Sequence, residues 1–158
     1  MKPTLRISPL AYQKIIYLRD KGPEEIGMFG ISSKTDLLYV KDVWVPKQMV
    51  TVGSVDYDEV DIANKIEDFL DEGIPAEQVF RISIHTHPGN SPQPSTVDRK
   101  TFERVFHKMP WAVMFIIDRA GNTYCEYTSR NLDFVIPCKV DWRMPKWDEL
   151  DKIYAEQV

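Results

Sequence analysis

The run WAVMFIID at residues 111–118 limits the folds open to this chain more than any other stretch. A nearly continuous apolar run of this length is expected of a central strand covered on both faces. Its partners must come from the same chain. Strand-like runs fall at 26–32, 37–45, 82–86 (79–85 by the apolar pattern), 123–128 and 134–140. Helical stripes fall at 8–21, where Ser8 is the N-cap, Pro9 sits at N1 and Leu10, Ile15, Ile16 and Leu18 share a side. Others fall at 58–72, through Val60, Ile62, Ala63, Ile66, Phe69 and Leu70, and at 96–107. Residues 46–56 suit either a flap or a strand over 50–55. Met144 and Pro145 precede a C-terminal helix with Trp147, Leu150, Ile153 and Tyr154 on its apolar side. The order of elements describes an α/β protein with a mixed sheet between helices. A chain of 158 residues, 43% hydrophobic, suits one domain, with 144–158 as a short helical extension.

Charge and cysteine usage narrow the function classes. A net charge of −4 without a basic run argues against a general nucleic-acid binder. No apolar stretch is long enough to span a bilayer, and MKPTLRISPL lacks the apolar core of a signal peptide, so the expected location is the cytoplasm. Cys125 and Cys138 form no C-x-x-C pair and read as ordinary thiols of a reducing compartment. Residues of Trp44, Trp111, Trp142 and Trp147 read as core or partner contacts, and His107 as a surface residue.

The chemistry concentrates in RISIHTHPGNSPQPSTVD, residues 81–98. His85 and His87 stand two apart at the end of a strand, so both imidazoles leave the same face. Asp98 follows a loop stiffened by Pro88, Pro92 and Pro94. Two neutral imidazoles and a carboxylate suit a zinc ion, and three protein ligands leave a fourth position open for water. A plainer account of STVD is a capping box, with Ser95 as N-cap and Asp98 at N3 of the following helix. The two accounts are compatible, because a helix N-terminus can hold an aspartate rigidly while it faces a metal.

The pattern H-x-H-P followed by S-x-x-D resembles the signature of the JAB/MPN (JAMM) metalloproteases, and the compact chain resembles their prokaryotic type. The family motif also requires an upstream glutamate, for which PEEIGMFGIS supplies Glu24 and Glu25. The resemblance spans about residues 7–129. It implies a cytidine-deaminase-like three-layer α/β fold and one catalytic zinc held by His85, His87 and Asp98. It further implies cleavage after the Gly-Gly tail of a ubiquitin-like or sulfur-carrier protein. Glu24 has Gly27 three residues on, as the family pattern asks. Glu25 follows Pro23 by two residues and puts Phe29 and Ile31 where the family carries an apolar pair; it is taken as the base, with Glu24 as the rival.

The residue types fit those roles. Zinc lowers the pKa of a bound water toward about 7, and a neighbouring carboxylate such as Glu25 can shuttle its proton to the leaving amine. The Ser95 hydroxyl is placed to donate to a developing oxyanion and has no histidine to make it a nucleophile. Residues 46–57, where the family carries its first insertion, could take an extended tail as an added strand. The deaminase signature and H-E-x-x-H are both absent. A JAB/MPN scaffold without catalysis is the alternative, although scaffolds of that kind usually lack a ligand.

Overall fold

The structure, a computed structural model, describes residues 3–130, 132–143 and 148–158. In chain order the elements are β1 (Leu5–Ile7), α1 (Pro9–Arg19), β2 (Gly27–Ser32), β3 (Tyr39–Trp44), β4 (Gln48–Val50), β5 (Val55–Tyr57), α2 (Glu59–Asp71) and α3 (Ala76–Val79). They continue with β6 (Ile82–His87), α4 (Thr96–Phe106), β7 (Trp111–Asp118), β8 (Thr123–Ser129), β9 (Leu132–Val135), β10 (Cys138–Val140) and α5 (Asp148–Gln157). Eight strands form one mixed sheet in the order β10-β1-β3-β2-β6-β7-β8-β9, while β4 and β5 pair only with each other.

The apolar run at 111–118 becomes β7, parallel to β6 and antiparallel to β8, with Ala112 to Asp118 all buried. Alternation along the strands divides the interior into two cores. Met28, Ile82, Ile84, Val113 and Phe115 face the α1 side with Ala11 and Ile15. Phe29 and Ala112 face the opposite side, where they pack with Ile62 of α2, Val79 of α3 and Phe106 of α4. The helix starts follow local chemistry. Ser8 caps α1 by accepting from the Ala11 amide at 3.1 Å, and Asp58 caps α2 by accepting from the Val60 and Asp61 amides, each at 3.0 Å.

The sheet curls back on itself. β9 and β10 lie at opposite edges, yet only Ile136 and Pro137 separate them. The Ile136 amide still donates to Cys125 of β8, at 3.0 Å, and the Pro137 carbonyl already accepts from Leu5 of β1, at 2.9 Å. Proline has no N–H to leave unpaired at this crossing. The single strand expected at 134–140 is therefore two short strands on either side of a seam.

Other expectations are corrected in the same way. β1 is three residues long, too short to show a period, and was not foreseen. Val79 ends the four-residue helix α3, so the histidine strand begins at Ile82 and extends through His87. No strand runs over 50–55; a turn at 51–54, closed by a 3.0 Å bond from the Thr51 amide to the Ser54 carbonyl, separates β4 from β5. Leu150, Ile153 and Tyr154 of α5 are exposed and do not form a packed face. Met144, Pro145 and Trp147 lie outside the described residues. Among the described residues, no helix is long and apolar enough to cross a membrane, and both cysteines are free thiols.

Candidate functional site

Three elements and one loop bring the site together. β6 carries Ser83, His85 and His87 on the α4 side of the sheet, because they alternate with the α1-facing Ile82 and Ile84. α4 brings Asp98 in its first turn. The capping box foreseen for 95–98 is present: the Ser95 hydroxyl accepts from the Asp98 amide at 3.0 Å, and the Asp98 carboxylate accepts from the Ser95 amide at 2.7 Å. This fixes the carboxylate while its two oxygens face the histidines. Oδ1 lies 3.3 Å from His85 Nε2, and Oδ2 lies 3.1 Å from His87 Nε2.

Glu25, just before β2, completes the set. Its Oε1 is 3.6 Å from His87 Nε2, and one donor atom from each of Glu25, His85, His87 and Asp98 lies within 4.8 Å of the others. All four side chains are buried. Glu24 is exposed and stands apart from this cluster. Of the two upstream glutamates, Glu25 is the one that lies beside the histidines. Ser95 is exposed and reaches the group only through Asp98.

The donor chemistry fits a divalent cation. The Ser91 carbonyl can only accept, so His87 Nδ1, 2.8 Å away, carries a proton and donates. In a neutral ring that leaves the Nε2 lone pair aimed at Asp98 and Glu25. His85 Nε2 and Glu25 Oε2 are buried and have no hydrogen-bond partner. Lone pairs and carboxylate oxygens that converge so closely repel one another unless positive charge lies between them, and buried polar atoms without partners are costly. An outer N–H held by a backbone carbonyl is also the usual support of a metal-binding imidazole. Imidazole nitrogens with carboxylate oxygens are the usual ligands of divalent transition metals.

The ionisation of these groups reflects the same crowding. Burial, reinforced by the Asp98 charge and opposed by His87, pushes the Glu25 carboxyl up to about 7. Burial also works against charge on Asp98, but His85, His87 and the Ser95 amide outweigh it and hold that carboxyl far below its usual range. Burial disfavours the His87 imidazolium, yet Asp98, the Ser91 carbonyl and Glu25 together raise its pKa. One buried carboxylate is thus kept ionised while its neighbour is poised to carry a proton near neutral pH, a separation that marks functional sites.

Beside the cluster lies a narrow cavity of about 30 Å³ lined by Val55, Tyr57, His85, Val97, Asp98 and Phe102, among others. The sequence did not point to several supporting residues. Thr86, between the two histidines, accepts from the Ile26 amide at 3.1 Å through its hydroxyl and donates its own amide to the Ile26 carbonyl at 3.0 Å. Gln48 and Thr51 bond to the backbone of Gly27 and Glu25, respectively. These contacts join residues far apart in the chain, and no local spacing announces them. Gly27 was legible only as a count from Glu24; here a Cβ at that position would overlap the Tyr57 hydroxyl.

No known protein family matches the chain by sequence, and no curated protein matches it either. In three dimensions it is similar to the solution structure of protein DSY2949 from Desulfitobacterium hafniense, with a TM-score of 0.64 and 14% identity over 90% of this chain and 95% of that one. At that identity the likeness is one of fold alone.

Proposed function

We propose that the protein is a zinc-dependent peptidase or isopeptidase of the JAMM type, with the cytidine-deaminase-like arrangement of that family. The observation that carries this reading is the buried convergence of Glu25, His85, His87 and Asp98. On this reading His85, His87 and Asp98 hold one zinc ion, which supplies Lewis acidity and lowers the pKa of water. Glu25 would take the proton of the attacking water and return it to the leaving nitrogen, the two tasks of a general base and acid, from its place 3.6 Å from His87 Nε2. The Ser95 hydroxyl donates to the carbonyl oxygen as negative charge collects there. The substrate class is the one the family resemblance implies, a Gly-Gly tail of a ubiquitin-like or sulfur-carrier protein. The two free thiols support a cytoplasmic setting.

The test is to incubate zinc-loaded protein with ubiquitin-like fusions ending in Gly-Gly, beside a Glu25→Gln control. The expected result is cleavage after the second glycine, slowed at least about a hundredfold in Glu25→Gln at unchanged zinc content. Equal cleavage by both proteins would move the base elsewhere. No cleavage of any fusion with zinc bound would favour the non-catalytic scaffold.

A further inference from the structure

The strand that presents Glu25 outruns its neighbour on one side. Along β2 the β3 partner reaches no further than Phe29, which pairs with Trp44. Backbone groups of alternate residues point to the same side of a strand, so those of Gly27 and Glu25 lie on the side that β3 has left. The hairpin formed by β4 and β5 fills the gap, and it does so with a side chain. The Gln48 carboxamide accepts from the Gly27 amide at 2.8 Å and donates to the Gly27 carbonyl at 2.8 Å. Its second N–H donates to the Pro46 carbonyl at 3.0 Å, which fixes the orientation of the amide. One position further on, the Thr51 carbonyl accepts from the Glu25 amide at 2.9 Å. A single glutamine thus substitutes for the missing strand between the end of β3 and the residue that carries the carboxylate.

We propose that Gln48 is a positioning residue, whose carboxamide holds residues 25–27 extended against β6 and so fixes the Glu25 carboxylate beside His87. Its effect on turnover rests on the peptidase reading; its effect on the placement of Glu25 does not. The Glu25 side chain makes no hydrogen bond through Oε2 that could fix it independently. Its position depends on the backbone behind it, and that backbone is gripped on the hairpin side by Gln48 and Thr51 alone among the described contacts.

The experiment compares wild type with Gln48→Ala by residue-resolved amide exchange and by the Glu25 side-chain 13Cδ resonance at one fixed pH, with zinc content and cleavage measured on the same samples. In Gln48→Ala the Gly27 and Glu25 amides are expected to exchange at least about tenfold faster, while the β6–β7 ladder keeps its protection. The Glu25 resonance should move toward that of the exposed Glu24, zinc should stay at one equivalent, and kcat should fall about tenfold or more. Unchanged Glu25 exchange and resonance would overturn the proposal, and so would a loosened Glu25 with unchanged kcat. If wild type cleaves nothing, the peptidase reading fails and the exchange and resonance data alone decide the role of Gln48. Should Gln48→Ala not fold, Gln48→Glu preserves the shape and the bond from the Gly27 amide but sets an oxygen against the Gly27 carbonyl. It should loosen the same two amides, and full protection in that variant would overturn the proposal.

Discussion

Asp98 serves the helix through Oδ2 and faces the histidines with both oxygens, and substitutions can separate the two duties. Ser95→Ala removes the acceptor of the Asp98 amide and should cost about 1 kcal/mol of stability, read from urea unfolding. With substrate it should also slow turnover about a hundredfold while zinc stays bound. Asp98→Asn keeps a carbonyl to accept from the Ser95 amide, so the cap survives, but it removes the charge that faces His85 and His87. Zinc affinity in a chelator competition should then fall by at least about a hundredfold with little change in unfolding midpoint. At the C-terminal end of β7, next to His87 in register, burial opposes ionisation of Asp118, but bonds from the Asn122 side chain and amide outweigh it and hold its pKa below the usual value. A carboxyl depressed in the folded state contributes stability above its unfolded pKa and loses it as pH falls through the folded value. The stability gap between wild type and Asp118→Asn should therefore be widest near neutral pH and narrow progressively below about pH 4. Equal gaps at both ends would show that the charge plays no part. At this scale His85, His87, Ser95 and Asp98 were readable from spacing, since a two-residue strand period and a four-residue cap fix their directions. The choice between Glu24 and Glu25 was not. Neighbours on an extended chain face opposite ways, and the stretch 25–27 is held by Thr86 on one side and by Gln48 and Thr51 on the other, all more than twenty residues on.

Elements in this fold are legible in proportion to their length and their dependence on local caps. α1, α2 and α4 begin at Ser8, Asp58 and Ser95, where short polar side chains satisfy free amides. β1, α3 and each strand of the β4–β5 hairpin have three or four residues and exist because of what they touch. The hairpin is tied to the core through Tyr57, whose ring packs on Phe29 at 5.2 Å between centroids. Phe29 in turn meets Trp44, Phe80 and Phe106. Phe29→Ala should therefore cost about 3–5 kcal/mol and loosen the hairpin together with the α2–α4 side of the core, seen as joint loss of amide protection in both. Gly27→Ala forces its new methyl into Tyr57 and should cost about 1–3 kcal/mol, partly recovered in a Gly27→Ala, Tyr57→Phe double variant. By contrast, Leu150, Ile153 and Tyr154 of α5 are exposed, so removal of residues 148–158 should change stability by less than about 0.5 kcal/mol in thermal or urea unfolding.

Across the whole molecule, an apolar run that needs cover on both faces predicts a sheet between helices, and the two cores on either side of β7 meet that need. The curl that brings β9 and β10 to opposite edges was beyond local reading, because it depends on a two-residue crossing at Ile136 and Pro137 whose partners are Cys125 and Leu5. The site lies where β2, β6 and α4 meet, and it gathers carboxylate oxygens and imidazole nitrogens around one point, with Glu25 Oε2 and His85 Nε2 buried without a hydrogen-bond partner. That this convergence is a cation site is the central claim, and crystals grown with zinc and measured on both sides of its absorption edge test it most directly. The account predicts one anomalous peak about 2.0–2.2 Å from His85 Nε2, His87 Nε2 and an Asp98 oxygen, lost in His87→Ala. A fully occupied zinc elsewhere on the molecule, or no peak among these four side chains at saturating zinc, would contradict it.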